Sequence, residues 1–305
     1  MDFVNTYAAT LPAHMRGYYD MVMAVSTEQV RFDLDIINKI NTKQLGEKMI
    51  WYSGLPTAKR LKEGQLSPRA TVSTPYDKTW YTNRYGMAVV FDSKMINTDQ
   101  SGMIKQAMEH LGLSHYNAYQ RMVAGLLDNG TDTDYLGPDG KPLFATDHPI
   151  SNGRTYSNLS TAQAFTPDAV QQMLTDVKAH KTWHNEPWIE SRGYNLITGT
   201  GIEIKAQEAF QSANKAMEMS NTTNMLSKKP GGASVTPTTG NPFIQDGNGY
   251  WLVPKGKSNP LFVLTREEVK LREDDNVDWI WTCNSQADRV AGWIYSWGVQ
   301  ANEGA

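Results

Sequence analysis

Asp147-His148, inside the stretch GPDGKPLFATDHPI (137–150), is the pair in this chain that most invites a catalytic reading. A histidine beside a carboxylate can act as an oriented base, and Ser151 or Ser157 could supply a hydroxyl nucleophile. Such a serine normally rides on a sharp elbow of the G-x-S-x-G kind, and the sequence has none. His180 and His184 stand four apart on a predicted helix, a spacing that can hold a metal. Lys181, Thr182 and Trp183 lie between them, so the glutamate of H-E-x-x-H is missing, and a solvated helix end is expected instead. DTDYLG, from Asp132, opens like a calcium loop. Leu136 then stands where a carboxylate is needed, and Leu143 where the closing glutamate should be. GTGIEI, from Gly199, lacks the third glycine of a dinucleotide fingerprint and reads as a tight strand–helix turn. REDDN, from Arg272, pairs carboxylates in what is expected to be a charged surface turn. No catalytic, cofactor-binding or metal site follows from these residues.

The elements that would position any site are clearer. TEQVRFDLDIINKINTKQLGEKMIWY has a partly helical rhythm at Val30, Leu34, Ile37 and Ile40 and then turns strand-like. From Ser53 to Phe91 the chain predicts a hairpin of two long strands, with Tyr81, Asn83, Tyr85, Met87, Val89 and Phe91 on one face at period two. Between Pro56 and Pro68 it carries Lys59, Arg60 and Lys62 against Glu63 alone, with Arg69 just beyond, so its tip is basic. An isolated two-stranded ribbon is marginal in water. This one must pack on its own domain or be ordered by neighbouring subunits.

After the hairpin, Ile104, Met108, Leu111, His115, Ala118, Met122 and Leu126 recur at spacings of four and three. They predict a helix of about thirty residues, capped by Thr98 or Asp99 and ended by Asn129-Gly130. TPDAVQQMLTDVKAHKTW predicts a second helix capped by Thr166, and NLITGTGIEIKAQEAFQSANKAME a strand, a glycine turn and a third helix. Residues 227–249 read as a long polar loop, and the remainder returns to strand composition. The order gives an α+β fold.

Composition narrows the function classes. With 305 residues, 40 % hydrophobic and 20 % charged, the chain can build a substantial core. A net charge of −3 gives no electrostatic support for specific DNA reading. The single cysteine, Cys283, excludes an internal disulfide and a cysteine-rich zinc site. The N-terminus lacks a secretory pattern, and no run of 18 apolar residues predicts a membrane helix. Nine Trp and fourteen Tyr point to large packed surfaces, within the subunit or between subunits.

Three passages carry a family resemblance: YTNRYGMAVVFDSKMINTDQSG, DGKPLFATDHPI and NLITGTGIEIKAQEAFQS. Together they resemble tailed-phage major capsid proteins of the Hong Kong 97-type fold, nearest the Mu-like prophage major head subunit group. The resemblance implies an N-terminal arm and first helix (1–52), an E-loop hairpin (53–91) and a peripheral domain with a long spine helix (92–155). It further implies an axial domain (156–265) with a long loop at 227–249, and C-terminal strands (266–305). It also implies a structural, non-enzymatic subunit that tiles hexamers and pentamers into an icosahedral shell around double-stranded DNA, located in the virion and assembled in the host bacterial cytoplasm.

Implied partners are the chain itself, a separate scaffolding protein, a portal, a decoration or cement protein, and non-specific contact with packaged DNA. No cofactor and no membrane are implied. Lys59, Arg60, Lys62, Glu63, Arg69 and Trp80 become candidate inter-subunit contacts. Gly140, Leu143, Phe144, Asp147 and His148 become a structural turn leaving the spine helix, with Asp147-His148 satisfying turn backbone groups. Two rival readings remain. An encapsulin-type cellular shell would share the fold. A polysaccharide-binding or polysaccharide-hydrolysing protein would need paired carboxylates across a cleft.

Overall fold

The computed structural model describes residues 36–92, 102–184, 186, 193–211, 234–237, 242–274 and 280–304. Among the described residues, two four-stranded sheets and three α-helices carry the architecture. The first sheet holds β1 (Asn38–Asn41), β10 (Leu261–Asp274), β11 (Ile280–Trp293) and β4 (Asn83–Asp92), in that order. Its centre is the long antiparallel pair β10–β11, with β4 antiparallel to β11 from Asn83↔Arg289 to Asp92↔Ile280. The second sheet runs β12 (Gln300–Asn302), β9 (Tyr250–Pro254), β7 (Gly193–Thr198) and β8 (Ser234–Pro237). β9 and β7 are buried at every position, which is why both read as unbroken apolar-rich runs rather than alternations.

Helix α1 (Met103–Asp128) is the spine, 26 residues and roughly 39 Å long at 1.5 Å per residue. Its N-cap is Gly102 in the left-handed region, so the helix begins after the expected caps. Thr98 and Asp99 lie outside the described residues. Its C-cap is Asn129, as the sequence predicts. The N-terminal half buries Ile104, Met108 and Leu111 against Phe91 and Cys283 of the first sheet. The C-terminal half enters the main core through Val123, Ala124, Leu126 and Leu127. There they join Leu261, Phe262, Val263 and Leu264 of β10.

Helix α2 (Pro167–Ala179) starts where Thr166 accepts a hydrogen bond from the Ala169 N–H at 3.1 Å. It buries Val170, Met173, Leu174 and Val177 against the second sheet. Helix α3 (Glu203–Gln211) follows β7 through the glycine turn.

Four expectations change. Ile40 lies in β1, parallel to β10, rather than in a helix, while Val30 and Leu34 fall outside the described residues. A free edge on β10 and burial of Ile36 and Ile37 outweigh the weak helical rhythm. Within the expected loop 227–249, β8 forms a strand parallel to β7, and 227–233 and 238–241 lie outside the described residues. Of the REDDN run, Arg272, Glu273 and Asp274 continue strand β10 rather than a turn, and Asp275 and Asn276 lie outside the described residues.

The fourth change concerns the hairpin. Its paired stem is β2 (Gly46–Trp51) with β3 (Tyr76–Tyr81), and residues 52–75 carry no strand. Pro56, Pro68 and Pro75 withhold ladder donors there, and the side chains have no facing surface to bury. β4 belongs to a different sheet, separated from β3 by Thr82. Within β4 the period-two face survives in Tyr85, Val89 and Phe91, whereas Met87 is 53 % exposed.

Candidate functional site

Leaving α1, the chain folds back on itself through 129–158, and this turn is built on one buried histidine. Phe144 and Leu143 are buried, and the Phe144 ring lies where a Cβ on Gly130 would be, only 2.3 Å away. Gly140 takes a φ of 74°, which a side chain would strain. β5 (His148–Pro149) pairs with β6 (Thr155–Tyr156). His148 is fully buried and stacks on Tyr156 at 5.1 Å.

The hydrogen bonds around His148 decide whether it can do chemistry. Asn158 donates through Nδ2 to the carbonyls of Leu143 and Ser296, at 2.7 and 3.2 Å. Its Oδ1 accepts from the Ala145 N–H at 2.8 Å. That oxygen also faces His148 Nε2 at 3.1 Å, so Nε2 must carry a proton and donate it. The other nitrogen, Nδ1, faces both Asp139 Oδ2 at 2.7 Å and Ser296 Oγ at 3.0 Å. A nucleophilic triad needs hydroxyl and carboxylate on opposite nitrogens. Here they share one, and the other is spent on an amide. The adjoining cavity, lined by Asp139, Tyr156 and Ser296 among others, measures about 20 Å³. That is room for about one water. The arrangement clamps a turn to the C-terminal segment.

The expected backbone role of Asp147 and His148 falls largely to other residues: Asp139 accepts from the Lys141 N–H and Asn158 from the Ala145 N–H. The Asp147 carboxylate is exposed and pairs with Lys141, whose hydrogen bond holds the acid below its ordinary range. Neither Asp139 nor Asn158 was singled out in the sequence. Only the glycine- and proline-rich wording around Asp139 marks it.

The histidine pair does not share a helix face. His180 is the C-cap of α2, and His184 lies in the turn beyond it. His180 donates from Nε2 to the Ser157 carbonyl at 3.1 Å, and His184 donates to the Gly54 carbonyl at 3.2 Å. Among the described residues, no group of three His, Cys, Asp or Glu is placed to hold a metal.

The remaining candidates sit on the segment 52–75. Lys59, Arg60, Lys62, Glu63 and Arg69 are all exposed. So are Leu55, Leu66 and Val72, with Leu66 at 91 %. The base of the loop is closed by the Ser53 N–H on the Ser73 carbonyl, 2.9 Å, and its tip turns at Gly64 with φ 76°. Below it the stem is fixed by aromatics. Trp51 stacks on Tyr76 at 5.6 Å and meets Trp297 edge-on at 4.7 Å. Trp80, unlike the other candidates, packs inward. It is 9 % exposed and packs on Phe262 and Trp293 of its own core, where Gly292 leaves room for its ring. Lys78 covers its outer face at 4.1 Å. The hairpin therefore has a stem rooted in its own subunit and a basic, partly apolar arm standing free of it.

This geometry can be set beside known proteins. Residues 76–182, from the stem strand β3 to just beyond α2, match the family model of the Mu-like prophage major head subunit gpT. The capsid of bacteriophage JBD30 superposes with a TM-score of 0.52 at 10 % identity, covering 99 % of this chain and 72 % of that one. The fold is that of Hong Kong 97-type capsid subunits. The capsid of Helicobacter pylori bacteriophage KHP30 agrees at a TM-score of 0.57 and 8 % identity, over 87 % of this chain and 86 % of the other. The virus-like particle of Pyrococcus furiosus matches at a TM-score of 0.56 and 7 % identity, over 95 % of this chain and 100 % of the particle chain. No curated protein matches the chain by sequence.

Proposed function

We propose that this chain is a phage major head protein that tiles hexamers and pentamers into an icosahedral shell around the double-stranded DNA of a tailed phage, with the arm 52–75 as its reach onto neighbouring subunits. The observation that carries the reading is that arm: two dozen residues with exposed leucines and four basic side chains, on a stem anchored by Trp51 and Trp80. Burial against a neighbour would offset the entropy of ordering it. Lys59, Arg60, Lys62, Glu63 and Arg69 are the proposed contacts. On the same reading, 1–52 forms the N-terminal arm, 92–155 the peripheral region, 156–265 the axial region and 266–305 the returning strands. A separate scaffolding protein, a portal and a decoration protein are the proposed partners, with assembly in the bacterial cytoplasm. The role is architectural rather than catalytic, in keeping with a buried histidine whose hydroxyl and carboxylate share one nitrogen.

The test reverses charge on the arm in a triple variant, Lys59→Glu, Arg60→Glu and Lys62→Glu. The variant should fold with an unchanged far-UV spectrum and fail to form closed shells. Shells forming as readily as in the parent chain would remove the arm from assembly. Packaged DNA in native particles, rather than protein cargo, separates this reading from a cellular shell of the same fold.

A further inference from the structure

His180 is held by one bond it donates and one it accepts, the pattern of a neutral imidazole. It is 4 % exposed, at the end of α2. Nε2 donates to the Ser157 carbonyl, while Nδ1 accepts from the Gly298 N–H at 3.4 Å. Its two nitrogens therefore tie the hairpin β5–β6 to the C-terminal segment 296–302. Further ties hold the segment at its two ends: Ser296 bonds His148, Tyr156 and Asn158, while Ala301 exchanges backbone bonds with Asn158 and Ser160 and Gln300 donates to Ser160 Oγ. β12 within that segment is three residues long and sits at the sheet edge, so little ladder holds it.

We propose that His180 is an acid-operated latch, which holds the C-terminal segment on the hairpin while neutral and releases it when Nδ1 takes a proton. A protonated Nδ1 would point an N–H at the Gly298 N–H, so the bond becomes a clash of donors. The groups facing the ring are Asp176 from α2, His148 from β5, Tyr156 from β6 and the Gln300 side chain from β12, with Asp139 beyond His148. Tyr156 lies between the histidine rings, stacked on His148 and edge-on to His180 at 5.1 Å.

Burial is the largest influence and lowers the His180 pKa to about 4; Ser157 and Asp176 oppose it. The sign follows directly. The closed state holds its proton less well than the open one, whose histidine titrates near 6.5. The latch is fully effective above that value and weakens as pH falls toward 4, where opening has grown by roughly 100-fold or more.

Hydrogen exchange at the Gly298 amide and residues 299–302 of the full chain, corrected for intrinsic rates, reads this opening. Between pH 7 and pH 4 the opening constant should rise by about two orders of magnitude. In His180→Gln, whose amide can also donate to Ser157 and accept from Gly298 but does not titrate, that rise should vanish. Equal acid opening in the variant, or none in the parent, overturns the proposal. Should the variant fail to fold, the imidazole ¹⁵N shifts of His180 in the parent decide. Titration in step with the Gly298 opening supports the latch, and opening without His180 titration refutes it.

Discussion

Asn158 ties the 129–158 turn together more than any residue the sequence draws attention to. It serves the Ala145 N–H, the Leu143 and Ser296 carbonyls and His148 Nε2 at once, and none of it reaches solvent. Asn158→Ala leaves several buried polar groups without partners, each worth about 1–3 kcal/mol. The expected loss is about 3 kcal/mol or more, read as the shift in denaturation midpoint of the unassembled chain. A loss under 1 kcal/mol would contradict the clamp. The wording GPDGKPLFATDHPI was legible as a rigid turn because Gly, Pro and Asp have local backbone preferences. Its true partners were not, since Ser296 lies 148 positions from His148. Trp80 misled for the same reason: a tryptophan on a basic hairpin looks the same in sequence whether it faces a neighbour or Gly292 of its own core.

At the scale of elements, the glycine turn after β7 shows how α1 and the second sheet are joined. A Cβ on Gly199 would come within 2.2 Å of the Asp246 carbonyl oxygen, a backbone atom that cannot swing aside. The 245–246 backbone is itself held by the Asp128 carboxylate at the end of α1, which accepts from the Gln245 and Asp246 N–H groups. Gly199→Ala should cost about 1–3 kcal/mol by overpacking. Gly140→Ala, at φ 74° with nothing within 4 Å, should cost only about 1–2 kcal/mol of backbone strain. Combining Gly199→Ala with Asp128→Ala tests the mechanism. Freeing the 245–246 backbone should relieve part of the clash, so thermal unfolding should show sub-additive losses. Additive losses would mean the turn relaxes in some other way. The helices with strong caps were legible: Thr166 and Asn129 stand where the sequence puts them. The strands were less so. β1 and β8 form because a long-range neighbour offers an edge, and residues 52–75 fail to form strands because none does.

For the whole molecule, the order of strand, spine helix and sheet was legible as α+β, and the family resemblance added the Hong Kong 97-type fold. The division between a stem rooted in the subunit and an arm outside it was not, because the same hairpin wording covers both. The central claim is that this arm is completed by neighbouring copies. Size-exclusion chromatography with negative-stain electron microscopy of the full chain, alone and coexpressed with the proposed scaffolding protein, tests it most directly. Shells, tubes or discrete hexamers and pentamers are predicted, with 52–75 protected from protease only in those assemblies. A monomer under both conditions, with 52–75 already protease-resistant, would contradict the account.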